Sequence, residues 1–115
     1  MTVIAACHCG VVQVSFPALP EEAVSCNCSH CSKKGFLLGF FPADQVTVES
    51  GADEVSTYTF NRHVIQHRFC PTCGVQVYGE GKMPDGSPTM AINLRCVEGS
   101  DISGLKIKEV DGRSY

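Results

Sequence analysis

Apolar and polar positions alternate along this chain in short stretches, and turn residues interrupt them every few positions. Val12, Val14 and Phe16 set against Val11, Gln13 and Ser15 show the period-two pattern of a half-buried strand, imperfectly. Read this way, strands fall at Thr2–Ala6, Val11–Phe16, Gln45–Glu49, Val55–Phe60, Val64–Phe69, Val75–Tyr78, Thr89–Leu94 and Leu105–Val110. Phe36–Phe41 is a continuous apolar run of strand length, so a buried strand is expected there. Ser50–Gly51–Ala52–Asp53 signals a turn, and Gly79–Pro88, rich in Gly and Pro, reads as a loop. No segment holds an apolar helical period for three turns. Pro42–Gln45 and Asp101–Leu105 are each expected to form a single helical turn at most. The pattern predicts a mainly β fold of short strands.

At 115 residues the chain is expected to be a single domain spanning residues 1–115, with a modest core that gains from a metal staple. A formal net charge of −3 offers no electrostatic footprint for nucleic acid and no basic face for a membrane surface. No apolar run is long enough to cross a bilayer. Met1–Cys7 ends superficially like a lipoprotein cleavage site, but the basic segment and apolar stretch of a signal peptide are missing. Cysteines are numerous yet locally paired, unlike the spread pattern of a secreted disulfide scaffold, which points to a reducing, cytoplasmic compartment.

Seven of the eight cysteines form three tight clusters: Cys7–Cys9, Cys26–Cys28–Cys31 and Cys70–Cys73. Neighbours this close rarely meet disulfide geometry, whereas thiolates on one turn close readily on an ion. Zinc suits an all-thiolate set best. On an extended chain residues two apart share a face, so Cys7 with Cys9, and Cys26 with Cys28, can point at one ion. Cys70-x-x-Cys73 followed by Gly74 has the form of a zinc knuckle. A redox role for that pair calls for a helix opening in a βαβ unit, and strands flank it instead.

Pairing Cys7 and Cys9 with Cys70 and Cys73 gives one closed four-thiolate structural site. Cys26, Cys28 and Cys31 then hold a second ion with a position open for water or substrate, the arrangement of a catalytic zinc. Spacing alone also permits completion of that second site by a histidine or by Cys96, the isolated cysteine, although a lone Cys is more often a packed core thiol. His8 and His30 lie between ligands and are expected to point away from the ions. His63 and His67 share a strand face with Ile65 and Phe69, and His67 lies nearer the Cys70 knuckle. Lys33 and Lys34, directly after the triplet, are placed to attract an anion or to lower thiol pKa values.

Taken in order, Cys7-His-Cys-Gly10, Cys26-Asn-Cys-Ser-His-Cys31, His67-Arg-Phe-Cys-Pro-Thr-Cys-Gly74 and Asn93-Leu-Arg-Cys96 through Asp111-Gly-Arg-Ser114 resemble the glutathione-dependent formaldehyde-activating enzyme family. The resemblance covers essentially the whole chain. It implies a β-tent zinc-binding fold of short antiparallel strands stapled by a four-cysteine zinc site. Cys7, Cys9, Cys70 and Cys73 then lie on the structural zinc and Cys26, Cys28 and Cys31 on the catalytic one. The activity it implies is that of a carbon–sulfur lyase, joining glutathione and formaldehyde as S-hydroxymethylglutathione. In that setting Lys33, Lys34 or Arg68 would meet the glutathione carboxylates. Two other classes compete with the enzyme: a zinc-stapled binding module without chemistry, and a redox sensor that releases zinc on oxidation.

Overall fold

The computed structural model describes residues 2–60 and 65–111. Its strands in chain order are β1 (Val3–Ala6), β2 (Gln13–Phe16), β3 (Glu22–Cys26), β4 (Leu38–Pro42), β5 (Thr47–Ser50), β6 (Ser56–Tyr58), β7 (Gln66–Phe69), β8 (Gln76–Lys82), β9 (Pro88–Asn93), β10 (Val97–Glu98) and β11 (Lys106–Val110). One short helix, α1 (Ser29–Lys34), leaves β3. The fold is mainly β, as the residue pattern and the family resemblance both imply. One sheet has the order β10-β1-β2-β5 and the other β11-β3-β4-β9-β8-β7-β6. Neighbours run antiparallel except for β11, which lies parallel to β3 with Ile107 beside Ala23 and Val110 beside Cys26.

The two sheets share one core. Alternate residues of β2 (Val14, Phe16) and of β9 (Met90, Ile92) turn inward, joined by Val12, Val77 and Leu94. Phe16 packs on Phe41 with ring centroids 4.9 Å apart. Cys7 and Cys70 belong to the same buried cluster, so the first and last cysteine pairs are anchored from beneath by apolar packing.

Several elements differ from the sequence expectation. β3 and α1 were not anticipated. Only Ala23 of β3 is buried and α1 buries no residue, so neither leaves a periodic apolar trace. What holds α1 is its ends: the Cys28 sulfur accepts from the Cys31 N–H at 3.2 Å, and Gly35 closes the helix in the left-handed conformation. The expected loop at Gly79–Pro88 shrinks, because β8 runs on to Lys82 and β9 begins at Pro88. Gly79 stands directly opposite His67 in the ladder, and the imidazole lies over the bare backbone there. β4 starts at Leu38 and exposes Phe40, so the apolar run at Phe36–Phe41 is only half buried. Ala43–Gln45 forms a single 3-10 turn, whereas Asp101–Leu105 makes a non-helical turn. Val64, the expected start of the strand ending at Phe69, lies outside the described residues. So do His63 and the segment after Asp111.

Candidate metal centres

Two tight turns, one per sheet, place the first sulfur group. Between β1 and β2 the Cys7 N–H donates to the Val12 carbonyl at 3.0 Å and the Gly10 N–H to the Cys7 carbonyl at 3.1 Å. Between β7 and β8 the Cys70 N–H donates to the Val75 carbonyl at 3.0 Å and the Gly74 N–H to the Cys70 carbonyl at 2.8 Å. Gly10 and Gly74 adopt positive φ of 84° and 81°, which a side chain would resist. The turns face each other. Cys9 Sγ lies 3.7 Å from Cys7 Sγ and 3.6 Å from Cys70 Sγ, and the sulfurs of Cys7, Cys9, Cys70 and Cys73 all fall within 4.8 Å of one another. A disulfide requires about 2.05 Å. An ion bound tetrahedrally at about 2.3 Å from each sulfur sets the edges near 3.8 Å. The observed contacts match that tetrahedron.

Backbone N–H groups tune these thiols. Those of Val75 and Cys9 pull Cys73 down to about 6, and that of Cys73 lowers Cys70. For Cys9 the Val11 N–H draws the pKa down, but contact with the Cys70 sulfur, desolvation and Cys7 outweigh it and leave it at about 11. One sulfur thus keeps a proton for its neighbours. A cation takes the place of such protons when it binds.

The second group is the triplet. Cys26 ends β3, Cys28 caps α1 and Cys31 lies in its first turn, and their sulfurs too lie within 4.8 Å of one another. Desolvation acts to raise the Cys28 thiol, yet the Cys31 N–H and the neighbouring sulfurs outweigh it and lower its pKa. Burial, then proximity to Cys28 and Cys26, raises Cys31. Cys26 and Cys31 line a cavity of about 560 Å³ together with Ser32, Arg95, Glu109 and Asp111. At about 100° per residue, Ser29, His30, Lys33 and Lys34 fall on the opposite face of α1, where they line a second cavity of about 570 Å³ with Tyr58, Phe60 and Phe69.

Residues 2–106 match the family model described as glutathione-dependent formaldehyde-activating enzyme. The chain belongs to this family. A relative from Talaromyces marneffei, named "Putative glutathione-dependent formaldehyde-activating enzyme", is 28% identical over 104 residues, covering 85% of this chain and 54% of that protein. The chain therefore spans about half the length of the curated relative it matches. A crystal structure of a Rhodobacter sphaeroides protein aligns with a TM-score of 0.76 at 24% identity, over 91% of this chain and 99% of that one. It shares the fold.

In this family member the remaining candidates separate. Among the described residues Cys96 joins neither sulfur group: its thiol points at the Gln76 carbonyl, 3.7 Å away, and burial raises its pKa to about 11. Arg68 is committed elsewhere, paired with Glu80 at 2.7 Å and bonded to Thr57 and Gln66. Lys33 and Lys34 turn away from the thiol cavity. His30 and His67 meet behind α1 with ring centroids 4.2 Å apart, in an aromatic cluster with Tyr58 and Phe60. The Gln76 amide donates to His67 Nδ1 at 3.3 Å, which places the imidazole proton on Nε2. His30 Nδ1 and His67 Nε2 are buried with no partner among the described residues. Arg95, in the thiol cavity, escaped the sequence reading. It lies inside the Asn93–Cys96 segment singled out there, but no charge pattern marks it.

Proposed function

We propose that this family member is a zinc-dependent enzyme of the carbon–sulfur lyase type, acting on the adduct of a thiol with an aldehyde. Glutathione and formaldehyde, the compounds in the family's name, are the leading pair. One observation carries the reading: among the described residues the two sulfur groups are unequally complete. Four sulfurs close a tetrahedron, whereas three leave one position short, and two of those three open into a cavity large enough for a small peptide.

In this reading Cys7, Cys9, Cys70 and Cys73 hold a structural zinc that ties the sheets together within one domain, and Cys26, Cys28 and Cys31 hold the second. Zinc supplies positive charge that keeps a substrate thiol ionised and nucleophilic at neutral pH. Three thiolates around a divalent ion leave a net charge of −1, which weakens carbonyl polarisation and favours supply of the thiolate. The protein's share is placement: α1 fixes Cys28 through the Cys31 N–H, and the cavity wall sets the direction from which a thiol enters. The substrate sulfur loses its proton and bonds to the aldehyde carbon, and the carbonyl oxygen takes up a proton. The reverse reaction breaks the same carbon–sulfur bond. Function in a reducing, cytoplasmic setting keeps the thiols available. A binding module closed by Cys96 fits less well, because that thiol points at Gln76.

Elemental analysis of reduced protein should give two zinc ions per chain at full occupancy. Calorimetry should detect glutathione binding to the zinc-loaded protein and its loss in Cys28→Ser, with formaldehyde addition accelerated in exchange spectroscopy. Equal binding by both proteins, or no acceleration above the spontaneous reaction, would overturn the proposal.

A further inference from the structure

The face of α1 that turns away from the triplet closes the second cavity, whose chemistry is of another kind. In the β6–β7 ladder Tyr58 stands opposite His67 and Ser56 opposite Phe69, so the period of two puts Tyr58, His67 and Phe69 on one face of the sheet. α1 lies across that face. His30 meets Tyr58, Phe60 and His67 with ring centroids 5.5, 5.2 and 4.2 Å away. Lys34 Nζ lies over the Phe69 ring, 5.8 Å from its centroid. The space between helix and sheet is about 570 Å³, within the range of small-ligand sites.

Two properties of the lining limit what fits. The first is ring orientation. Tyr58 is inclined by only 23° to His30 and by 26° to Phe60. These rings are already in mutual contact, so a ligand packs onto them and not between them. The ring of Tyr58, 49% exposed, offers the open face. The second property is charge. Lys33 and Lys34 stand exposed at the rim, and among the described residues neither pairs with a carboxylate and no acidic side chain lines the cavity. The lining described holds no guanidinium fork either, which favours a single carboxylate over a phosphate.

We propose that this cavity binds a small aromatic carboxylate, its ring on Tyr58 and Phe60 and its anion held by Lys33 and Lys34. Such a ligand needs no thiol, and no cysteine lines the cavity, so the site stands apart from the proposed lyase chemistry. Rings and lysines come from different parts of the chain, β6 and its exit on one side and α1 on the other, and only the fold makes them one surface.

The test is an NMR titration of the reduced, zinc-loaded protein with three probes: indole-3-acetate, its neutral analogue indole-3-acetamide, and the non-aromatic acid cyclohexylacetate. The wild type should hold indole-3-acetate with a Kd of about 1 mM or tighter, as expected for a ligand of this size. Both other probes should bind more weakly. The double variant Lys33→Gln/Lys34→Gln should weaken indole-3-acetate by roughly 3–30-fold, the span of two exposed ion pairs, and leave the amide within about twofold. Lys106→Gln/Lys108→Gln removes the same net charge from β11, at the far edge of the sheet, and should change neither. Tyr58→Leu should weaken both aromatic probes by roughly 3–10-fold, and Tyr58→Phe should restore them. No binding of indole-3-acetate up to about 10 mM, ten times that Kd, overturns the proposal. Equal affinity for acid and amide, or equal loss in the two lysine double variants, overturns it as well. AMP bound more tightly than indole-3-acetate would overturn the carboxylate class.

Discussion

His67 makes stability depend on acidity in a defined window. Its ring is 8% exposed. Burial first, then His30 and Lys34, hold its pKa down at about 4, against 6.5 for an unperturbed histidine. The Gln76 amide also donates to Nδ1, so a second proton has no acceptor to replace that bond. Between pH 6.5 and pH 4 the unfolded chain binds a proton there that the folded chain refuses. Stability from this residue is therefore complete above pH 6.5 and is lost progressively as the pH falls toward 4. The gap sets a ceiling of about 3 kcal/mol. The cluster has a wet rim, with Tyr58 half exposed, and screening there brings the expected effect to about 1–2 kcal/mol. For a chain of this size that is a fall in Tm of about 5 °C. Thermal melts by circular dichroism at pH 8, 6.5, 5 and 4.5, on the wild type and His67→Gln, isolate the term, because thiol protonation is common to both. The variant is expected to start lower at pH 8, through lost ring packing, and to lose less stability than the wild type on acidification. Parallel curves across the window would refute the reasoning.

Cys70→Ser should lower Tm by about 10 °C or more, since it opens a cross-link over 61 residues of chain, for which loop closure alone contributes about 4 kcal/mol. Cys26→Ser should release one metal ion with little change in Tm, and elemental analysis paired with melting checks both variants. Gly51→Ala should cost about 2–4 kcal/mol by urea unfolding, because its φ is +87° and a Cβ would sit 2.7 Å from the Val11 carbonyl oxygen. Phe16→Ala should cost about 3–5 kcal/mol by the same measurement, through the cavity it leaves against Phe41.

The cysteine clusters and most strands were legible because both signals are local. A Cys-x-Cys or Cys-x-x-Cys pair states its geometry within four residues, and β2 or β9 states its face by alternation. β3 was not legible, since Glu22–Cys26 has one buried side chain and takes its place mainly from β11, at the far end of the chain, with a single registered pair to β4. α1 was missed because a six-residue helix with no buried face has no period to read. Its marks are end effects, with a sulfur as the N-cap and Lys33–Lys34–Gly35 at the exit. The second half of β8 hid behind Gly79 and Gly81, which read as loop residues until His67 is seen across the ladder. Arg95 became visible only through three-dimensional proximity, because Gly35, its hydrogen-bond partner, lies 60 residues away.

The parallel pairing of β11 with β3 gives the molecule a timetable. β3 meets β4 at a single registered pair, Val24 with Leu38, so most of its edge waits for Lys106–Val110. On the ribosome the N-terminal part emerges first. Cys26, Cys28 and Cys31 are made early, and the four-sulfur group is complete in sequence once Cys73 has been added. The acidic wall at Glu109 and Asp111 arrives more than 30 residues after that. A growing chain thus carries all seven clustered cysteines before the strand that completes the β3 edge has been made. On the proposed function, the residues that would hold metal are therefore made before the strand that closes the wall of the cavity.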